Sequence, residues 1–454
     1  MGIRIYDTLT KSKQDLVTRE PGKISMYVCG PTVYDHVHIG NARSAVAFDV
    51  IRRYMRFRGL EVTYVLNHTD VDDKIINRAS ESNADPVALA SEYSRAFEQL
   101  MSDLGILPPD ILVKATDHIV DMVATITTLI EAGAAYESAG NVWFSVRKKS
   151  GYGKLSGRSL DDLSAGERVE PDPSKLDPLD FALWKAAKPG EPTWDSPWGP
   201  GRPGWHIECS VMSVKYLGMG FDLHGGGSDL IFPHHENEIA QAESAHGGQF
   251  VRYWLHNGML NMDSEKMSKS LGNYVYAKDV LVDVPASVVR LMSVAAQYRS
   301  DLEFNQSSID QARRAVERFG SFLLASGESH EIDESGQVFI DRFVEAMDDD
   351  FNTPLALSVM YDLVKTGNTC IEKGADVGGM RAALEQMLGV FAIDPTPSSD
   401  DGLVGDLIEL ALELRDGARK AGRYDDADAI RDRLVDLGVS LQDGSDGTRW
   451  RLKI

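Results

Sequence analysis

Cysteine is scarce in this chain of 454 residues: only Cys29, Cys209 and Cys370 occur. No two of them form a C-x-x-C pair, which excludes a disulfide framework and a zinc-finger module. Any metal would need ligands gathered from distant segments. Long apolar runs are missing too, since no window approaches the ~18 uninterrupted apolar residues of a membrane helix. The opening Met1-Gly2-Ile3-Arg4-Ile5-Tyr6 has no apolar secretory core, and Tyr6 breaks the Ser/Thr position of a myristoylation signal. The expectation is a cytoplasmic protein with no membrane partner. Basic residues are in deficit, 47 against 69 acidic, for a net charge of −22. A field of that sign repels phosphate backbones, so nucleic acid would have to be met through a local basic groove. Internal repeats are absent. The 43% hydrophobic and 26% charged content excludes wholesale disorder and fibrous designs, and the length suggests about three domains.

Ile24 to Cys29 alternates apolar with small or polar residues and reads as a strand. After the turn-rich Gly30-Pro31-Thr32, a helix is predicted over 42–58, where Val46, Val50, Ile51, Tyr54 and Met55 recur at helical spacing and Gly59 ends the run. Glu61 to Leu66 reads as the next strand. Strand, helix and strand in this compass make a βαβ unit, the start of a Rossmann-type, doubly wound parallel sheet. The fold class is therefore α/β. The sheet is expected in two halves, 1–104 and 221–300, around an insertion at 105–220 rich in Pro, Gly and Trp. A helical bundle should follow at 301–394. Beyond the Pro395–Ser399 linker, residues 400–454 should form a small domain of two helices and a terminal hairpin.

Three segments carry chemistry. His38-Ile39-Gly40-Asn41 lies between the first strand and its helix, where a doubly wound sheet places its ligand. Asn41 can cap that helix, whose free N–H groups attract phosphate. Gly40, without a Cβ, would admit a flat base, and His38 could donate to a phosphate. Lys266-Met267-Ser268-Lys269-Ser270 offers two cations and two hydroxyls suited to pyrophosphate, although a solvated basic loop is the commoner meaning of such a run. The two motifs in this order are those of a class I aminoacyl-tRNA synthetase. The third is Phe232-Pro233-His234-His235-Glu236-Asn237-Glu238. If Pro233 opens a helix, His234 and Glu238 share one face at i and i+4, a two-ligand geometry for zinc. The order H-x-x-x-E is not the H-E-x-x-H of zinc peptidases. In isolation it is usually an exposed polar face, but Cys29 and Cys209 stand ready as further ligands.

At this point the chain resembles the cysteinyl-tRNA synthetases over nearly its whole length. The resemblance is carried by Tyr27-Val28-Cys29-Gly30-Pro31-Thr32-Val33-Tyr34-Asp35, Thr69-Asp70-Val71-Asp72-Asp73-Lys74-Ile75, Gly201 to Ser210, His224-Gly225-Gly226-Gly227-Ser228-Asp229-Leu230 and the unaltered lysine loop. It implies one zinc held by Cys29, Cys209, His234 and Glu238, which selects the substrate thiolate. It further implies Gly30, Thr32, Thr69, Trp205 and Asp229 at the amino acid, with Trp205 as a wall and Thr69 and Asp229 near the ammonium. His38, Gly40, Asn41 and Lys269 would bind ATP, and His38, Asn41, Lys266 and Lys269 would act in catalysis. His206, His224, His235 and His256 cluster near these segments, and some of them are expected to line the pocket or orient its ligands, although a buried, satisfied histidine is the commoner case.

The implied reaction is activation of L-cysteine with Mg2+-ATP, then transfer to the 3′-terminal adenosine of tRNA(Cys) by a monomer. Residues 105–220 would approach the acceptor end. Met347 to Pro354 and Arg449-Trp450-Arg451 belong to the segments that resemble the bundle and the anticodon reader, although Trp450 could equally be core. Two departures stand out: Asn41 where many relatives carry His, and His68 where an aliphatic residue is usual. The rivals are an amino-sugar ligase with the same adenylating core and a silent RNA-binding module. The intact loop and large C-terminal part weigh against the first. The complete set of zinc ligands and loop lysines weighs against the second.

Overall fold

The computed structural model describes residues 2–160, 172–262, 265–266, 274–395, 401–444 and 447–452. β1 (Arg4–Asp7) and β2 (Ser12–Asp15) form an antiparallel hairpin. Then come β3 (Lys23–Val28), α1 (Ile39–Phe57), β4 (Glu61–His68), α2 (Asp73–Ser82), α3 (Pro86–Asp103) and β5 (Ile111–Lys114). After α4 (Ile119–Glu131), an antiparallel sheet is built from β6 (Ala135–Ser138), β7 (Asn141–Phe144), β8 (Phe181–Ala186) and β9 (Gly201–Pro203). α5 (Trp205–Leu217), β10 (Phe221–Gly227), α6 (Glu236–His246) and β11 (Val251–Asn257) return the chain to the first layer. The main sheet has the order β11-β10-β3-β4-β5, and all its pairings are parallel. The α/β reading of the sequence is correct.

The strand order reverses between β3 and β10, and their carboxyl ends open a crevice where such sheets bind ligands. The Cys29 N–H donates to Gly225 O at 3.1 Å there, holding the first residue after β3 against β10. β5 is the edge strand of this sheet, so the parallel layer continues past residue 105 and the antiparallel insertion runs from Ala135 to Pro203. Its four residues, Ile-Leu-Val-Lys behind Pro108-Pro109, are too few to show a strand period.

Alternate residues of the strands feed two apolar cores. Met26, Val28, Tyr64 and Leu255 join α1 on one side, while Tyr27, Val65 and Trp254 join α4, α5 and α6 on the other. Downstream lie β12 (Leu260–Met262), β13 (Glu265–Lys266), α7 (Ala277–Asp283), α8 (Ala286–Val294) and β14 (Leu302–Glu303). The bundle follows as α9 (Gln306–Ala325), α10 (Glu334–Asp348), α11 (Thr353–Glu372) and α12 (Gly378–Phe391). Its apolar faces share the core of α1. Residues 1–394 form one compact unit. The second, from Pro395 onward, holds α13 (Asp401–Lys420), α14 (Tyr424–Asp436) and the hairpin β15 (Val439–Gly444) with β16 (Gly447–Leu452).

A buried ion pair ties the layers of the first unit. Asp49 of α1 accepts from Arg290 Nη2 of α8 at 2.5 Å, from Arg53 Nε at 2.8 Å and from the Leu107 N–H at 3.0 Å. Arg290 also donates to Phe391 O at the end of α12 and to Leu104 O after α3. Removing the carboxylate would leave a buried guanidinium without its counter-charge. Asp49→Ala should therefore destabilise the fold by about 3–5 kcal/mol, read as a lower midpoint in chemical denaturation.

Candidate metal centre and nucleotide cleft

Four side chains from four segments meet behind the crevice. Cys29 follows β3, Cys209 sits in α5, His234 lies in the wide turn 231–235 and Glu238 is in the first turn of α6. One potential ligand atom from each lies within 4.8 Å of every other. His234 Nε2 is 3.1 Å from Glu238 Oε1, and Cys29 Sγ is 3.5 Å from the same oxygen. As the sequence suggested, Pro233 opens the helical run: Phe232 is extended, and from Pro233 the backbone takes helical angles through His235 into α6, so His234 meets Glu238 at i and i+4. A second set, Cys29, His224, His235 and Glu238, meets the same distance limit. His235 Nδ1 lies 2.8 Å from His256 Nε2, whose Nδ1 meets Thr8 Oγ1 at 2.8 Å, and His235 Nε2 stands 3.8 Å from Glu238 Oε1, farther than His234 Nε2 at 3.1 Å. The first set, with two thiols, is the softer donor group and the one that suits zinc.

The surroundings orient these ligands. His206 Nδ1 is 3.0 Å from His234 Nδ1, which leaves His234 Nε2 turned toward the centre. Trp205 stacks on His234 with centroids 4.1 Å apart, and His224 Nε2 meets Glu238 Oε2 at 2.9 Å. Burial alone would raise the Glu238 pKa, but His224 and His234 hold it down at about 2. Burial would lower that of His234, yet Glu238 and Cys209 lift it to about 10. Burial and the neighbouring Cys209 and Glu238 push the Cys29 thiol up. Cys209 goes the other way: burial is outweighed by its hydrogen bonds with Cys29 and His234, and it falls to about 6. The pocket thus gathers negative charge around one imidazolium, the balance that a bound dication would replace. Burial pushes His206 and His235 well down and, with His224 beside it, His256 to about 3.

In front lies a cleft of about 960 Å³ whose lining includes Cys29, Gly30, Thr32, His38, Gly40, Asn41, Trp205 and Asp229. His38, not Asn41, caps α1: its Nδ1 accepts the Gly40 N–H at 3.1 Å, and Asn41 is the third helical residue. The expected cap misplaced the helix start because the β-branched Ile39 and Gly40 are weak helix formers. With Nδ1 accepting, a neutral His38 carries its proton on Nε2. A Cβ at Gly40 would stand 2.9 Å from that ring, so this glycine makes room for His38. Thr32 bridges Thr69, which is buried beneath the cleft. Lys266 lies in β13, its side chain outside the described set, and Lys269 lies outside the described residues.

Asn67 escaped the sequence reading. Its Oδ1 accepts the Gly30 N–H at 3.0 Å and lies 3.7 Å from Cys209 Sγ, so one amide braces the loop and a thiol. No spacing rule marks such a residue; only the pairing of β3 with β4 brings it there.

The family model described as the tRNA synthetase class I (C) catalytic domain matches residues 15–314, and the DALR domain matches 342–393. The chain is 49% identical over 481 residues to a cysteine–tRNA ligase of Pelotomaculum thermopropionicum, covering 99% of each. It is 48% identical over 465 residues to that of Carboxydothermus hydrogenoformans, covering 99% of this chain and 100% of that one. Among solved structures, it is similar in fold to Mycobacterium tuberculosis methionyl-tRNA synthetase with methionyl-adenylate, with TM-score 0.59, 17% identity and 86% and 93% coverage. It is likewise similar to Agrobacterium radiobacter K84 LeuRS in a ternary complex, with TM-score 0.62, 12% identity and 83% and 84% coverage.

The approach of Gly30 to β4 leaves no space for a side chain: a Cβ would fall 1.7 Å from Asn67 O. Gly30→Ala must push two backbones apart beneath the cleft. A loss of roughly 3 kcal/mol or more is expected, measured as a fall in Tm.

Proposed function

The chain belongs to the cysteine–tRNA ligases, class I enzymes that charge tRNA, and on that premise we propose how its own residues perform the reaction. The α-carboxylate of L-cysteine attacks the α-phosphorus of Mg2+-ATP, the bond to pyrophosphate breaks, and cysteinyl-adenylate forms. The terminal ribose hydroxyl of tRNA(Cys) then attacks the carbonyl carbon, and AMP leaves. His38 donates its outward Nε2–H to a phosphate oxygen. Asn41 in the first turn of α1 stands at the phosphates, where free backbone N–H groups gather. Lys266 and Lys269 neutralise the departing pyrophosphate. Most of the acceleration in such a step comes from positioning and charge stabilisation.

Selection of the amino acid rests on the four-ligand centre. The convergence of Cys29, Cys209, His234 and Glu238 within 4.8 Å is the observation that carries this reading. Two thiols, an imidazole and a carboxylate suit zinc, and Cys29 faces the cleft, so the site is open to a substrate ligand. When bound there, zinc takes a substrate thiolate as a soft ligand and leaves a serine hydroxyl neutral and weakly held. Shape alone separates such isosteres by only ~10²-fold. Trp205 walls the pocket beside His234, and Gly30, Thr32, Thr69 and Asp229 are assigned to the backbone and ammonium of the substrate.

We assign the antiparallel insertion, Ala135 to Pro203, to the acceptor end and residues 400–454 to the anticodon. Trp450 packs against the small core of Ile408, Leu434 and Val439, which favours a structural part for that ring. Coverage of the relatives from end to end favours tRNA over an amino sugar as acceptor. The working form is taken to be a cytoplasmic monomer; among the described residues no helix is long and apolar enough to cross a membrane.

Two experiments test these assignments. The intact chain should hold roughly one zinc, and His234→Ala should lose it together with the preference for cysteine over serine. An active preparation without zinc by elemental analysis would falsify the pocket. A chain ending at Asp394 should keep cysteine-dependent ATP–pyrophosphate exchange within a few-fold, because the centre and cleft lie wholly inside the first unit. Transfer to tRNA should suffer mainly in KM, as lost contacts bind ground and transition states alike. Unchanged charging kinetics would remove residues 400–454 from tRNA recognition.

A further inference from the structure

The cleft does not end at the nucleotide loop. Beyond Ser44 and Ala45 of α1 its lining turns apolar, with Phe48, Leu66, Phe97, Met101 and Leu112 as walls. Phosphate chemistry does not account for this inner chamber. Its cation, Arg52, is engaged, donating to Leu107 O and Pro108 O and pairing with Asp110 at 3.0 Å.

Asp49 and Glu98 also line the chamber, but one polar ring among these walls is left without a hydrogen-bond partner. His68, at the end of β4, is 0% exposed, and neither ring nitrogen has a hydrogen-bond partner. The nearest carboxylate oxygen, Glu98 Oε1, is 4.0 Å from Nδ1, and the Phe97 ring meets the imidazole edge-on at 5.3 Å. Buried polar atoms are rarely left without partners, because each costs ~1–3 kcal/mol. Burial, with Lys114 nearby, pushes the His68 pKa down to about 4. The ring is thus neutral near pH 7, with one donor and one acceptor to offer.

We propose that this inner chamber is a second small-molecule site, for an uncharged planar aromatic ring bearing a carboxamide-like group. The aromatic walls Phe48 and Phe97 suit a flat ring. The neutral imidazole suits a group that donates and accepts, and the carboxylates of Asp49 and Glu98 in the same lining, with Arg52 already paired to Asp110, disfavour an anion. This assignment is independent of the reaction proposed for the outer cleft.

Benzamide is a minimal probe. With histidine-15N-labelled full-length protein, benzamide should shift one imidazole resonance pair saturably, and His68→Leu should abolish that pair. Affinity, followed in parallel by calorimetry, should fall about tenfold in His68→Leu, the fold-change for one hydrogen bond to a buried partner. Phe97→Trp, which fills the chamber while keeping an aromatic wall, should block binding without altering zinc content. No saturable shift in the native chain would overturn the proposal and leave His68 satisfied by water alone. So would equal affinity in His68→Leu. If His68→Leu does not fold, undiminished binding in Phe97→Trp would overturn it.

Discussion

A carboxylate fully removed from water survives as an anion only where neighbours supply positive charge and hydrogen bonds, and Glu238 is such a group. One oxygen faces His234 and Cys29, the other His224. Each of those partners is then fixed by something else: His234 by His206 and the face of Trp205, His224 by stacking on Trp254 at 4.5 Å. Gln241 of α6 closes the set by donating to His206 O and Ser210 Oγ of α5. The helices on that side of the sheet are thereby placed by the demands of one buried charge. The same demand explains the run of histidines, since imidazoles can pass hydrogen bonds inward without adding permanent charge.

The parallel sheet brings these demands to one point. Cys29 comes from β3 and His224 from β10, neighbours at the place where strand order reverses. Gly30 crosses over β4 in contact with Asn67, so the loop leading to His38 starts from a fixed backbone. The antiparallel insertion is joined to this frame by charge. Arg202 of β9 and Lys185 of β8 both pair with Asp73 at the start of α2, and Arg202 reaches Glu191 at 3.1 Å. A second cavity of about 860 Å³ lies against the insertion, sharing Trp205 and His206 with the metal side. Trp205 thus borders both cavities.

Elements with a clear period were legible in the sequence. β3, α1 and β4 follow from alternation and from the 3.6-residue spacing of Val46, Val50 and Tyr54, and the terminal hairpin was legible too, although Asp443 and Gly444, about which it was expected to turn, pair within β15 with Thr448 and Gly447. What failed did so where tertiary contacts override local preference. Asn41 is the better intrinsic cap, yet His38 holds that position because its ring folds back on the Gly40 N–H. The i and i+4 pairing of His234 with Glu238 holds, because Phe232 breaks the backbone direction and the helical run restarts at Pro233. Asn67 acts through Gly30 and Cys209, both far off in the sequence and beyond any local pattern.

α1 carries the consequences of this arrangement into the rest of the first unit. Its N-terminus presents His38 to the cleft, and its middle is pinned by Asp49 to Arg290. Its last turns enter the bundle, where Tyr54 Oη donates to Asp348 Oδ1 at 2.5 Å and Arg58 pairs with the same carboxylate. Two residues on, the buried Asp350 accepts from the Tyr6 N–H of β1 at 2.8 Å and from Tyr298 Oη at 3.1 Å. Bundle, N-terminal hairpin and α8 are therefore all referred to one helix. A group that must be placed within a few tenths of an ångström to act electrostatically needs such support along its whole length. Burying α1 between sheet and bundle provides it, and this accounts for a helix of nineteen residues whose buried face includes two arginines and an aspartate.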